Sequence, residues 1–204
     1  MIADAALEAA LLIDRLDRLA RSGEAVDDLN PAQWEALRFV GRANRFSRTP
    51  AALAAYLGST RGTVSQTLIA LEQKGHVTRE ASALDRRSVS LGLTTLGQRK
   101  LKDDPILMLA ADLAGSQPEA LDTLVETLRG ALHAMITRNS GRAFGACYSC
   151  RHFLKNGGTG KTMPHHCALL DEPLSEADSR AICIEQETTG AAHSLQVAAS
   201  PPRR

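Results

Sequence analysis

The chain has 204 residues, 44% hydrophobic and 23% charged, a globular balance with room for one full core and a small appendage. Aromatic residues make up only 3%, so the core has to be built from Leu, Ala, Val and Ile. A formal net charge of +1 hides an uneven spread. Residues 1–37 carry 3 basic and 8 acidic side chains, residues 38–102 carry 12 and 3, and residues 103–204 carry 9 and 12. No long apolar stretch suggests a signal peptide or membrane span, and no triad, paired carboxylates or phosphate loop suggests an enzyme.

Residues 3–21 read as a helix, with Leu7, Leu11, Leu12, Leu16 and Leu19 close to one face. Asn30-Pro31 starts a second helix, Asn as cap and Pro at its first position, which buries Trp34, Leu37, Phe39 and Val40. Thr49 caps a third, with Pro50 at its first position, and Gly58 and Ser59 end it. Ser59 or Thr60 caps a fourth, in which Val64, Leu68 and Leu71 form the inward stripe. Its other side offers Arg61, Thr63, Ser65, Gln66 and Gln73, hydrogen-bonding groups with no acid among them. Lys74-Gly75 stops that helix. Val77–Arg79 and Ser88–Leu93 then alternate as a hairpin around the tip 83–87, with Val89, Leu91 and Leu93 turned inward and Arg86 and Arg87 turned out.

Two short helices at a tight turn, followed by a basic ribbon inside the one basic block of the chain, suit the reading of duplex DNA. The run Asp85-Arg86-Arg87, followed by Leu91, Leu93-Thr94, Gly97 and Leu101, resembles the MarR family of winged helix-turn-helix regulators. That resemblance extends from about Asp4 to Arg138. It implies a mainly α fold with a small β wing, a homodimer held by the N- and C-terminal helices, and a double-stranded, palindromic DNA partner. It also implies that Thr60, Arg61, Thr63, Ser65 and Gln66 face the major groove. Arg86 or Arg87 would reach the minor groove, with Asp85 orienting one guanidinium. Two recognition helices about one DNA turn apart read a palindrome, whereas one alone binds weakly.

After Thr94 the chain becomes helical again, and Pro105 predicts a kink or break near Asp104. Glu119–Arg138 is a stronger helix, with Leu121, Leu124, Val125, Leu128, Leu132, Met135 and Ile136 as an apolar stripe. The winged domain is too small to cover this helix and the first one, which agrees with the dimer.

At 139–141 the composition changes and the family pattern ends. The following stretch reads Cys147-x2-Cys150-x16-Cys167-x15-Cys183 with few aliphatics between. Such a segment cannot fold on apolar burial alone, and four thiolates closing on a metal would supply the missing stability. An iron–sulfur cluster, [4Fe–4S] favoured, needs four thiolates without a second close pair, and CxxCxxF followed by two isolated cysteines is similar to small [4Fe–4S] modules. Structural Zn2+ is the alternative, with Cys147 and Cys150 as its chelating pair. Free thiols acting as a redox switch are a third reading. His165-His166 are expected to be exposed or to stand behind the ligands, and Gly157–Thr162 to be a glycine loop, because the first glycine of a phosphate loop would fall at Lys155.

The sequence thus divides into a winged-helix and dimerisation domain over 1–140, a cysteine-rich metal-binding segment over 141–187 and a disordered tail over 188–204. The function expected is that of a cytoplasmic repressor sensing iron or redox state. Two rivals remain: the same regulator with structural zinc and a small-molecule effector, or an electron-transfer protein whose basic domain docks an acidic partner.

Overall fold

The structure, a computed structural model, describes residues 4–22, 28–81, 89–139 and 141–187. It forms two compact units. One runs to Gly41 and resumes over Arg48–Gly141; the other comprises Arg42–Ser47 and the chain from Arg142.

The first unit is mainly helical. α1 (Asp4–Ser22) lies along α6 (Ile106–Ala114), and α2 (Pro31–Arg42) supplies the centre of the core. The start of α2 is fixed by a reciprocal pair: Asn30 Oδ1 accepts from the Gln33 N–H at 2.9 Å, and Gln33 Oε1 accepts from the Asn30 N–H at 3.2 Å. Trp34, Leu37, Phe39 and Val40 are buried as the periodicity predicts. Trp34 is a core residue, with Arg38 and Lys100 over its ring at 5.4 and 5.6 Å.

α3 (Pro50–Leu57) begins where Thr49 Oγ1 accepts from the Ala52 N–H, and ends at Gly58 with φ +59°. That left-handed residue turns the chain into α4 (Arg61–Gln73), whose Val64, Leu68 and Leu71 pack inward. β1 (Val77–Ala81) and β2 (Val89–Leu93) pair antiparallel from Val77 opposite Leu93 to Ala81 opposite Val89. Leu91 is buried, while Val89 and Leu93 are half-buried. The expected tip, with Asp85, Arg86 and Arg87, lies outside the described residues.

Thr94 caps α5 (Thr95–Lys100) and ties it to the hairpin by donating to the Gly75 carbonyl at 2.6 Å. Only glycine fits at Gly97, because a Cβ there would stand 2.1 Å from the His76 carbonyl oxygen. The break expected at Pro105 is present. A 3-10 turn over Leu101–Asp103 gives way to extended backbone at Asp104 before α6 starts. α7 (Pro118–Arg138) is the last helix of this unit.

The second unit is held by very short strands. β3 (Gly145–Ala146) pairs antiparallel with β7 (Ile182–Cys183), and β4 (Phe153–Leu154), β5 (His165–Cys167) and β6 (Glu172–Leu174) form a small antiparallel sheet in that order. α8 (Glu176–Arg180) is opened by a capping box between Ser175 and Asp178. The loop over 157–162 connects β4 to β5. A Cβ at Gly158 would meet the Met163 carbonyl oxygen at 2.0 Å, so its glycine serves a close backbone approach. Residues 42–47 depart from the linear division expected from sequence. Ala43 bridges Ile182, extending β7 on its free side.

Candidate functional sites: a helix-turn-helix surface and a cysteine centre

The residues expected to read DNA are gathered at the start of α4. Thr60, Arg61, Thr63 and Gln66 are exposed and Ser65 is half-buried. They do not do equal work. The Thr60 hydroxyl accepts from the Thr63 N–H at 3.2 Å and lies 2.9 Å from the Thr63 hydroxyl, so its first duty is to cap the helix. Gln66 is exposed on the face opposite Val64, Leu68 and Leu71, and Arg61 is exposed at the first position of the helix.

In the second unit, Cys147, Cys183 and Leu174 form a buried cluster against which Cys167, Phe46 and Phe153 pack. Register explains the convergence: Cys167 is opposite Phe153, and Cys183 is opposite Gly145, two residues before Cys147. Cys150 closes a turn on Cys147, its N–H donating to the Cys147 carbonyl at 2.9 Å. All four are free cysteines, Cys147 and Cys183 buried and Cys150 and Cys167 half-buried. Among the described residues no three His, Cys, Asp or Glu side chains close on a single-ion position.

The sulfurs are surrounded by donors. Asn44 Nδ2 donates to Cys147 Sγ at 3.4 Å, and the Glu187 N–H donates to Cys150 Sγ at 3.4 Å. Cys147 and Cys183 face each other closely enough to act on each other's proton. The hydrogen bond shared with Cys147 draws the Cys183 thiol down from its ordinary range, against the opposing effect of burial. Cys147 moves the opposite way, its thiol held protonated by that same bond and by burial.

Of the two places expected for the histidines, exposed or behind the ligands, burial rules out the first for His165. Its Nδ1 accepts from the Asn156 N–H at 3.2 Å, its Nε2 lies 2.8 Å from Glu176, and its ring packs against Phe153 at a tilt of 56°. With both nitrogens occupied it is a packing residue. His166 is half-buried beside Asp171 at 3.1 Å. Sequence reasoning missed Asn44, Phe46 and Ser47, because nothing local in Arg42–Ser47 distinguishes it from a polar connection.

Helix, left-handed turn, helix and antiparallel ribbon define a winged helix-turn-helix. Residues 27–88 match the model of the MarR family. Solved structures of similar fold include Streptococcus pneumoniae FabT in complex with DNA, 24% identical with a TM-score of 0.52, covering 65% of this chain and 97% of that one. The S. aureus MepR–DNA complex is 20% identical with a TM-score of 0.51, covering 66% of this chain and 99% of that one. No curated protein matches the chain by sequence. No helix among the described residues is long and apolar enough to cross a membrane.

Proposed function

We propose that the chain is a homodimeric, DNA-binding transcription repressor of the MarR type, whose four cysteines hold an iron–sulfur cluster that reports iron or redox state. The observation that carries the DNA reading is the acid-free, exposed start of α4 inside the basic block of a winged helix. Arg61, Thr63, Ser65 and Gln66 can meet base edges or phosphates there, and Arg86 and Arg87 are the residues the sequence offers for the minor groove. Both DNA-bound proteins of similar fold point the same way.

The dimer is supported by apolar side chains that a single chain leaves open. Leu11 and Leu19 on α1 and Leu132 and Met135 on α7 are each more than half exposed. Covering one leucine contributes about 1.5–3 kcal/mol, so a second copy seated on these faces gains several such increments.

The cluster is supported by four cysteines in one unit, three of them in a common apolar core, with N–H donors turned toward two of the sulfurs. Cys147, Cys150, Cys167 and Cys183 would be its ligands. Anaerobic purification with iron, sulfide and zinc analysis tests this. Iron and sulfide with visible absorbance support the cluster. One zinc per chain with neither iron nor sulfide replaces it by a structural zinc site, favoured by the Cys147–Cys150 turn. Reversible, salt-dependent binding to a duplex selected from a random library separates both from an electron-transfer protein with an acidic partner.

A further inference from the structure

The connection Arg42–Ser47 is covalently the link between α2 and α3, yet it belongs to the cysteine unit. Its attachments there are specific. The Asn44 N–H donates to the Ile182 carbonyl at 2.8 Å, next to Cys183, and the Ile184 N–H donates to Ser47 Oγ at 2.9 Å, on the other side of Cys183. Asn44 Nδ2 donates to Cys147 Sγ, while its Oδ1 accepts from the Ser47 N–H at 2.9 Å. One buried amide therefore holds a cysteine sulfur with one end and the shape of the connection with the other. Phe46 packs on the cysteine core, and Arg45 pairs with Asp178 at 2.7 Å.

We propose that Asn44 is a positioning residue of the cysteine centre, and that the state of the centre sets the order of the α2–α3 connection and the first turn of α3. This rests on the metal-centre reading given above. A sulfur bound in the centre is a fixed, electron-rich acceptor for the Asn44 amide. When the centre is dismantled, the sulfurs lose their mutual spacing and that acceptor moves. The Asn44 side chain then releases Ser47, two residues before the Thr49 cap of α3. A signal arising at the cysteines thereby arrives at the helix-turn-helix through the six-residue link that precedes it.

The test uses the full chain, purified anaerobically, with metal analysis, chelator-driven metal release and backbone amide exchange. In the wild type, stripping the metal with EDTA should speed exchange at the Asn44, Ser47 and Leu53 amides at least tenfold, while α4 stays protected. Asn44→Asp keeps the acceptor for the Ser47 N–H but sets a carboxylate oxygen against Cys147. It should release metal at least tenfold faster, and an iron-loaded form should show a lowered reduction potential. Exchange over 43–57 that is the same in loaded and stripped protein overturns the coupling. Release and potential unchanged in Asn44→Asp overturn the positioning role. If the chain holds no metal, the metal reading fails by itself, and the comparison becomes reduced wild type against Cys147→Ala. Tenfold faster exchange at Asn44 and Ser47 then still supports the link, and unchanged exchange overturns it.

Discussion

Arg38 and Asp104 grip each other as two forks: Nε meets Oδ2 at 2.8 Å and a terminal nitrogen meets Oδ1 at 2.6 Å. The same carboxylate accepts from the Ile106 N–H at 3.0 Å, so one side chain both anchors the middle of α2 and caps the start of α6. Asp104 is only 6% exposed. Arg38→Ala leaves that carboxylate buried without its cation and should cost about 3–5 kcal/mol. Urea unfolding gives the loss directly. A change under 1 kcal/mol would mean that the pair is no more than a surface contact.

Two glycines separate strain from collision. At Gly58 a Cβ meets open space but φ is +59°, so Gly58→Ala should cost about 1–2 kcal/mol and leave the fold intact. At Gly97 the Cβ would overlap the His76 carbonyl, which also accepts from the Thr94 N–H at 3.1 Å. Gly97→Ala should cost more, about 2–3 kcal/mol, and disturb the hairpin amides in NMR spectra. Equal destabilisation of the two variants would contradict this distinction.

On α7 an introduced carboxylate has a place in the lone chain and none in a dimer. Leu132 is 59% exposed in a single copy, so Leu132→Asp should leave the protomer folded. In an apolar seam the same group costs several kcal/mol. Sedimentation should find a folded monomer with weakened operator binding. A Leu132→Asp protein that remains dimeric places the seam elsewhere.

Within the helix-turn-helix, neighbouring substitutions should give different signatures. Gln66→Ala should relax discrimination between duplexes, with one base-edge pair worth about 1–3 kcal/mol. Arg87→Ala should weaken all duplexes alike and flatten the salt slope by about one unit. Thr60→Ala should act first on stability, by about 1 kcal/mol, because its hydroxyl is occupied as a cap. Binding isotherms at several salt concentrations, read beside thermal unfolding, distinguish the three. A Thr60→Ala variant of full stability that loses sequence preference would move that residue from cap to reader.

The helices of the first unit were legible because their signals are local. Asn30, Thr49, Thr60 and Thr94 each sit one residue before the helix they cap, and Pro105 marks a real break. The strands of the second unit span two or three residues, too short for alternation to register, and their pairing is fixed by register and packing. His165 could not be placed either, because its partner Glu176 lies on a five-residue helix beyond the next strand. The part of Arg42–Ser47 was hidden most completely. Its hydrogen bonds reach 103 and 137 residues along the chain, and no periodicity carries information over that distance.

That separation also bears on biosynthesis. The helices on both sides of Arg42–Ser47 leave the ribosome long before Cys147, and longer still before Ile184, to which Ser47 is joined across 137 residues. Until β7 emerges, the connection lacks its contacts to Ile182 and Ile184, and closing a loop of that length is a late, slow event. A polypeptide made from residues 142–204 alone lacks Ala43, Asn44, Phe46 and Ser47, and should therefore remain unstructured. Nascent chains arrested before β7 should already hold a protease-resistant helix-turn-helix, cleavable between α2 and α3 and nowhere else within it.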